Sequence, residues 1–326
     1  MRILLTGAAG FIGSHLAERL VARGDQVVGL DNFDAFYDRA IKESNLDGLR
    51  SSSGFVFREG DITTTPDLVA ALSSSNGGFD VVVHLAALAG VRPSIDDPVR
   101  YAHVNLVGTS RVLELCRAQK IPRLVFASSS SVYGADSAVP FRESDPCQRP
   151  LSPYAATKRA GELLAYTAHH LGGLDVTCLR FFTVYGPRQR PDLAIHKFTR
   201  LIAAENPIEL YGDGSTSRDY TWIDDIIDGT LAAIDEQVRD GAAAYRLYNL
   251  GGSRTTSLLR LVELIAEALG KKPTIKWLPE QPGDMRRTLA ELTLSGQRLG
   301  YAPRISIEQG IPRFVSWWRS NNEQKA

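Results

Sequence analysis

Two short stretches hold residue types that can move protons: Ser128-Ser129-Ser130-Ser131-Val132-Tyr133-Gly134 and Ser152-Pro153-Tyr154-Ala155-Ala156-Thr157-Lys158. In the second, Ser152 can cap a helix, and Pro153 suits its first position, where a missing N–H costs nothing. Tyr154 and Lys158 then lie four apart and share one helical face. A phenol serves as a base near neutral pH only where its anion is stabilised, and an ammonium beside it does that. The serine run follows the apolar stretch Arg123-Leu-Val-Phe-Ala127. It therefore sits at the carboxyl end of a strand, where α/β proteins place their ligands. Many helices carry a Tyr-x-x-x-Lys pair by chance and leave both side chains in solvent. The serine strand upstream and a glycine turn at the amino end set this pair apart.

The scaffold for these side chains begins at once. Arg2 to Thr6 reads as a buried parallel strand, and Gly7-Ala8-Ala9-Gly10-Phe11-Ile12-Gly13 follows it. An amphipathic helix then runs to about Arg23 and stops at Gly24. Gly7, Gly10 and Gly13 allow a tight turn and close backbone approach to a pyrophosphate at the helix amino end. Gln26 to Leu30 is a second strand ending in Asp31, at the distance where a carboxylate takes both hydroxyls of an adenine ribose. A carboxylate there repels a 2′-phosphate, which favours NAD over NADP. A bound nicotinamide ring would add its positive charge to that of Lys158 near Tyr154. Glycine-rich turns exist without nucleotides, but the strand before this one, the helix after it and the acid on schedule argue against that here.

The alternation continues through Phe55-Val56-Phe57 into Gly60-Asp61, a helix over Pro66–Leu72, and Asp80–His84 into Leu85-Ala86-Ala87. A long helix over about Pro98–Ala118, the Leu124–Ala127 strand, the Tyr154 helix and the Asp175–Leu179 strand complete it. This pattern predicts an α/β fold, a doubly wound parallel sheet of the Rossmann-like kind, over residues 1–186. Asp61 and the small Ala86-Ala87 turn fall at strand ends, suited to adenine and pyrophosphate contacts. His84 reads as a packed core residue, because nothing at metal-ligand spacing accompanies it. No metal site is expected.

After Gly186 the pattern changes. Pro187-Arg188-Gln189-Arg190-Pro191 is a loop, followed by a helix over about Leu193–Glu205. Pro207–Tyr211 and Arg218–Trp222 read as short strands around the turn Gly212-Asp213-Gly214. Helices follow near Asp224–Val238, Ser257–Leu269, Thr293–Leu299 and Ile307–Arg319. Residues 187–326 thus read as a smaller α+β substrate lobe, with Tyr245–Leu250 able to return to the sheet. No repeat or low-complexity linker divides the chain, so this lobe is grafted on rather than tethered. Arg188, Arg190, Lys197 and Arg218 collect in loops expected to face the cofactor. Most surface arginines are simply solvated, yet a diphosphate ligand needs donors of this kind.

Composition excludes several function classes. The 326 residues are 44% hydrophobic and 23% charged, ordinary globular values, with 37 basic and 37 acidic residues in balance. Nothing invites a nucleic-acid backbone or an anionic membrane. Cys116, Cys147 and Cys178 show no Cys-x-x-Cys spacing, which fits reduced thiols in a cytoplasm and gives neither a disulfide framework nor a zinc site. The apolar start Ile3-Leu4-Leu5 breaks at once into the glycine turn and then Glu18-Arg19, unlike a signal peptide. No apolar run approaches the ~18 residues of a membrane span.

On these residues the chain resembles the extended short-chain dehydrogenase/reductase family, within it the NAD-dependent nucleotide-sugar epimerases, and most of all the UDP-glucuronate 4-epimerase group. The resemblance runs from Arg2 to about Trp318. It is carried by Asp31-Asn-Phe-Asp-Ala-Phe-Tyr37 with Lys42, His84-Leu-Ala-Ala-Leu-Ala-Gly-Val-Arg92 and Asn105-Leu-Val-Gly108. Further on come Phe181-Phe-Thr-Val-Tyr-Gly-Pro187 with Arg190-Pro-Asp192, Arg218-Asp219-Tyr220 and Gln281-Pro-Gly-Asp284. The early motifs are common to all extended members, and the Phe181–Asp192 block discriminates more finely.

The resemblance implies a UDP-sugar substrate and a cycle in which Tyr154 takes the proton of the sugar C4 hydroxyl while NAD accepts the C4 hydride. The ketone turns over, and the hydride returns to its other face. Lys158 would lower the Tyr154 pKa and bind the nicotinamide ribose. Ser129, three residues before the Val of Val-Tyr-Gly, matches the serine or threonine that bonds the sugar hydroxyl, and Ser131 is the next candidate. By the same resemblance, Asn32, Lys42, Ile62, Leu85, Asn105 and Val184 join Phe11, Ile12 and the glycine turn around the cofactor. Arg92, Ser130, Thr183, Arg190, Lys197, Tyr211, Arg218, Gln281 and Asp284 would contact the substrate, with Thr183 and Arg190 clamping a sugar carboxylate. A homodimer through the helices around Pro98–Ala118 and Pro153–Leu171 is also implied.

Departures from relatives narrow the reaction. Dehydratases of this family place acidic residues where this chain has Ser130-Ser131, and decarboxylases acting on glucuronate carry a glutamate at the position of Ser131. Two neutral serines supply hydrogen bonds but no proton at neutral pH, and epimerisation needs none. Arg188 stands where many relatives have a bulkier aromatic. A UDP-glucose/UDP-galactose epimerase is the neighbouring reading, needing no carboxylate clamp. A non-catalytic NAD sensor on the same fold is the reading from another class, though a sensor has no use for Tyr154, Lys158 and Ser129 together.

Overall fold

In the computed structural model the described residues are 1–73, 77–135, 137–279 and 285–323. Twelve strands appear among them: β1 Arg2–Thr6, β2 Gln26–Asp31, β3 Phe55–Glu59, β4 Val81–His84, β5 Arg123–Ser129, β6 Asp175–Phe181, β7 Thr183–Tyr185, β8 Ile208–Tyr211, β9 Ser217–Trp222, β10 Tyr245–Leu250, β11 Thr255–Ser257 and β12 Ile275–Leu278. Seven of them form one sheet in the order β10-β6-β5-β4-β1-β2-β3. Every pairing in it is parallel. The order reverses between β1 and β4, which opens a crevice at their carboxyl ends. β4 and β6 are buried along their whole length, as strands covered on both faces must be. Leu4, Val82, Leu124 and Val176 pack on one face with Val112, Cys116 and Ala165 of the covering helices. Leu5, Val83, Val125 and Leu179 pack on the other with Leu16, Leu20, Ile226 and Ala233.

Tyr245–Leu250 is the edge strand of this sheet, in register with β6 from Tyr245 opposite Val176 to Leu250 opposite Phe181. The strands flanking Gly212-Asp213-Gly214 form as expected, and they do not pair with each other. β8 pairs with β12, while β9 lies between β7 and β11. The left-handed Gly212 and Gly214 re-aim the chain between them. One expectation needs correction: the long helix is not uniform. It runs as Pro98–Ala102, a π-helical turn over His103–Val107, and Gly108–Ala118. The wider turn presents Asn105 inward, where its amide accepts from Leu88 N (2.8 Å) and donates to Leu88 O (3.0 Å) and Thr157 Oγ1 (3.0 Å). π-turns commonly mark such demands.

Candidate active site

At the switch point lies a cleft of about 360 Å³ lined by the glycine turn, the ends of β2, β4 and β5, the face of the Pro153–Gly172 helix and residues between Phe181 and Leu193. Gly7 has a left-handed φ of 75°, and a Cβ there would meet Ala86 N at 2.8 Å. A Cβ on Gly13 would fall 2.0 Å from Gly7 O. The Phe11–Ala22 helix starts at Gly10 with no side chain capping it, so its first N–H groups remain for an anion. Asp31 receives N–H groups on both oxygens, from Ala9 at 3.1 Å and Phe33 at 2.9 Å. Burial nevertheless pushes its carboxyl above the ordinary range, with Lys42 pulling the other way. A carboxylate in that state gains from further donors such as ribose hydroxyls. A crowded glycine cradle, an uncapped helix start and this acid together fit NAD.

β4 reaches the cleft in a fixed pose. Thr109 Oγ1 donates to Asn105 O (2.6 Å) and so accepts from His84 Nε2 (3.1 Å), leaving Nδ1 to accept from Thr6 Oγ1 (2.7 Å). Thr6 Oγ1 then accepts from Ala86 N at 3.2 Å. Burial holds the His84 imidazole neutral, its pKa lowered to about 3. His84 thus locks the Leu85-Ala86-Ala87 turn rather than binding a ligand. Among the described residues no cluster of His, Cys, Asp or Glu could hold a metal.

On the opposite wall, Ser152 caps its helix by accepting from Ala155 N at 3.1 Å. That capped helix carries Tyr154 and Lys158 into the cleft, together with Ser128 and Ser129 of β5. Ser129 lies near enough to the Tyr154 phenol to act on its pKa. Burial raises its pKa, and Ser129 and Arg190 act against that rise. Lys158 Nζ donates to Ala127 O at 2.7 Å and lies 5.1 Å from the Phe126 ring centre. Burial lowers its pKa to about 8, and Glu162 opposes that fall. The phenol is therefore neutral in this state, and Lys158 is directed at the β5 carbonyl.

The remaining expected residues divide by position. Phe11, Ile12, Asn32, Lys42, Ile62, Leu85, Ala86, Ala87, Thr183, Val184 and Arg190 line the cleft. Lys42 Nζ donates to Asp34 O at 2.7 Å and sits over the Tyr37 ring. Asp61, Asn105, Ser130, Ser131, Arg92, Lys197, Tyr211 and Arg218 are not among its lining residues. Asp61 instead holds Asn32 (2.8 Å) and the Thr63 hydroxyl and N–H, while its neighbours Gly60 and Ile62 face the cavity. Ser131 N–H donates to Ser129 Oγ at 3.2 Å. Arg92 is stacked 4.6 Å from the Tyr211 ring centre. Arg188 pairs with Glu18 of the Phe11–Ala22 helix at 2.6 Å. Gln281 and Asp284 lie outside the described residues. The sequence reading missed Phe36 and Tyr37 as walls, and Glu162, whose place one turn beyond Lys158 was the available signal.

Comparisons with known proteins agree with this geometry. Residues 3–251 match the model of the NAD dependent epimerase/dehydratase family. A UDP-glucuronate 4-epimerase of Thermodesulfobacterium geofontis is 41% identical over 321 residues, covering 98% of this chain and 97% of that protein. The crystal structure of UDP-glucuronic acid 4-epimerase from Bacillus cereus, in complex with UDP-glucuronic acid and NAD, superposes with a TM-score of 0.91 at 36% identity. It covers 98% of this chain and 100% of that one. A UDP-glucose 4-epimerase from Thermotoga maritima, solved with UDP-glucose, gives a TM-score of 0.87 at 30% identity over 99% of this chain and 100% of that one. The chain belongs to the NAD-dependent epimerase/dehydratase family, and NAD is its cofactor.

Proposed function

We propose that the protein interconverts UDP-glucuronate and UDP-galacturonate by NAD-dependent epimerisation at C4. NAD supplies a hydride acceptor that takes the C4 hydrogen and gives it back. Tyr154 accepts the C4 hydroxyl proton on the way to the ketone and returns it afterwards, and Ser129, beside it in the cleft, holds the same hydroxyl. Lys158, seated on Ala127 O, binds the nicotinamide ribose and keeps a positive charge beside the phenol. The sugar turns over as a ketone between the two half-reactions. Proton and hydride both return to it, so no net oxidation occurs.

The observation that carries the acid-sugar reading is Arg190. Its guanidinium stacks 4.8 Å from the Phe36 ring centre and lines the cleft beside Thr183 and Tyr154. Arginine binds carboxylates in a directional, two-point manner. Direction matters because the 4-keto form of glucuronate is a β-keto acid. It loses carbon dioxide readily when the bond from C5 to the carboxyl carbon stands perpendicular to the ketone plane. A clamp that keeps that bond away from perpendicular protects the intermediate. The neutral-sugar reading keeps some support in the likeness to the Thermotoga maritima enzyme. Turnover of UDP-glucuronate and UDP-glucose by the NAD-loaded protein decides between them, and much faster epimerisation of UDP-glucose would overturn the acid-sugar reading.

Residues 187–326, apart from the strand Tyr245–Leu250, serve in this proposal as the nucleotide-sugar lobe. A homodimer is supported by apolar side chains left outside on neighbouring helices: Val99, Leu163 and Leu171 are 77%, 52% and 84% exposed. Sedimentation of the protein and of Leu163→Glu tests it, with a monomeric parent protein as the contrary result. All three cysteines are free and buried, which supports a cytoplasmic setting. Among the described residues no helix is long and apolar enough to cross a membrane.

A further inference from the structure

Tyr154, Lys158 and Glu162 follow at intervals of four on one helix face. Glu162 is wholly buried, and four hydrogen bonds converge on its carboxylate. Oε1 accepts from Ser128 Oγ (2.6 Å) and Arg180 Nε (2.9 Å). Oε2 accepts from Arg180 Nη2 (2.9 Å) and Arg159 Nη1 (2.8 Å). Arg180, on β6, is itself buried, with its guanidinium 4.7 Å from the Tyr133 ring centre. Three successive residues of β5 are consequently set against three turns of one helix. Ala127 O receives Lys158, Ser128 Oγ donates to Glu162, and Ser129 faces Tyr154 across the cleft that both line.

We propose that Glu162 is a positioning residue for catalysis, fixing the register of its helix against β5 so that Lys158 and Tyr154 meet Ala127 and Ser129. The inference rests on the epimerase reading only in taking Tyr154 as the acid–base. Stability alone does not account for the arrangement. Buried ion pairs can usually be exchanged for apolar side chains at little or no cost, because desolvation offsets their attraction. What an apolar pair cannot do is hold Ser128, the middle of the three.

Glu162 also sets the electrostatics of Lys158. The groups facing that ammonium are Glu162 and the Tyr154 phenol on its own helix, neutral His84 from β4, and Arg180 from β6 behind Glu162. Of these, Glu162 is the one that stabilises the charged lysine. Without it, desolvation acts on Lys158 unopposed and the lysine loses its proton at lower pH.

The test uses the NAD-loaded protein with the UDP-sugar it turns over fastest, and three variants: Ser128→Ala, Glu162→Gln and the apolar pair Glu162→Leu/Arg180→Met. Glu162→Gln leaves Arg180 unpaired and can fail to fold, so the apolar pair and Ser128→Ala carry the decision. We expect the apolar pair to melt near the parent temperature while kcat falls by roughly 10- to 100-fold, the scale of a misplacement of about 1 Å, with KM changed little. The alkaline limb of its kcat profile should move to lower pH. Carbon NMR of labelled lysine in the cofactor-free protein should show Lys158 deprotonating at lower pH as well. Ser128→Ala should lower kcat severalfold without shifting Lys158. A stable apolar pair with parental kcat, alkaline limb and Lys158 titration would overturn the proposal. Failure of the parent protein to turn over any UDP-sugar would instead sink the epimerase reading, leaving the lysine titration as the arm that still judges Glu162.

Discussion

Arg190 holds Asp192, two residues ahead, by a two-point contact: Nε to Oδ1 at 3.0 Å and Nη2 to Oδ2 at 2.8 Å. The protein thus seats a carboxylate of its own in the fork proposed to receive the carboxylate of the sugar. Asp192 is substantially exposed, so this pair is weak, worth at most about 1 kcal/mol. Replacing it with an incoming carboxylate of better geometry costs little. Asp192→Asn should lower KM for UDP-glucuronate by about two- to fivefold, the equivalent of that energy, and leave KM for UDP-glucose unchanged. A raised KM would mean that Asp192 preorganises Arg190 instead of competing for it.

Arg190→Ala removes the fork itself. A hydrogen-bonded charged contact contributes about 1.5–3 kcal/mol, so kcat/KM for UDP-glucuronate should fall by roughly 10- to 100-fold. Product analysis should also find UDP-4-keto-pentose, released when the unrestrained intermediate loses carbon dioxide. A variant that slows equally on UDP-glucose and makes no pentose would assign Arg190 to the diphosphate.

Tyr154→Phe keeps the ring and removes the proton carrier. Folding and NAD retention should be unchanged, with turnover reduced by about two to four orders of magnitude. Near-parental turnover under chemistry-limited conditions would place the base elsewhere.

Asp31→Ala opens the adenosine end of the cleft. Retained NAD, measured after gel filtration, should drop, and discrimination against NADP should relax because the repelling carboxylate is gone. Equal retention of NAD and NADP by the parent protein would contradict the role given to Asp31.

Lys158 links stability to pH. Burial lowers its folded pKa from 10.5 to about 8, so the unfolded chain binds this proton more tightly. Below about pH 8 the buried ammonium weighs against the fold, and that penalty fades as pH rises from about 8 to 10.5. The difference in Tm between Lys158→Met and the parent, both free of cofactor, should therefore fall over that interval. Thermal melts across it provide the check, and a pH-independent difference would show that Lys158 titrates alike in the folded and the unfolded chain.

Much of the site was legible because its chemistry is local in sequence. The turn from Gly7 to Gly13, Asp31 at the end of β2 and the capped Tyr154–Lys158 helix each declare themselves within a few residues. Less was legible where long-range packing decides. β7 and β11 are three residues long, too short to show a period of two, so the small sheet around β9 left no pattern to read. The π-turn at His103–Val107 answers to the backbone of Leu88, seventeen residues away, and to nothing in its own composition. Asp61 carries the residue type expected of a cofactor contact, yet it turns to Asn32 and Thr63 and leaves the cavity to its neighbours.

The position of β10 bears on how the chain is made. β6 is buried from Asp175 to Phe181, but its outer neighbour comes from Tyr245–Leu250, more than sixty residues later. A nascent chain that has just passed Gly186 holds every other strand of the large sheet, with the apolar β6 as an open edge. Such an edge is a template for pairing with another chain, and long-range parallel pairing closes slowly. The late strand is therefore what closes the large sheet. Until the ribosome has delivered Tyr245–Leu250, that sheet stays unfinished and prone to self-association.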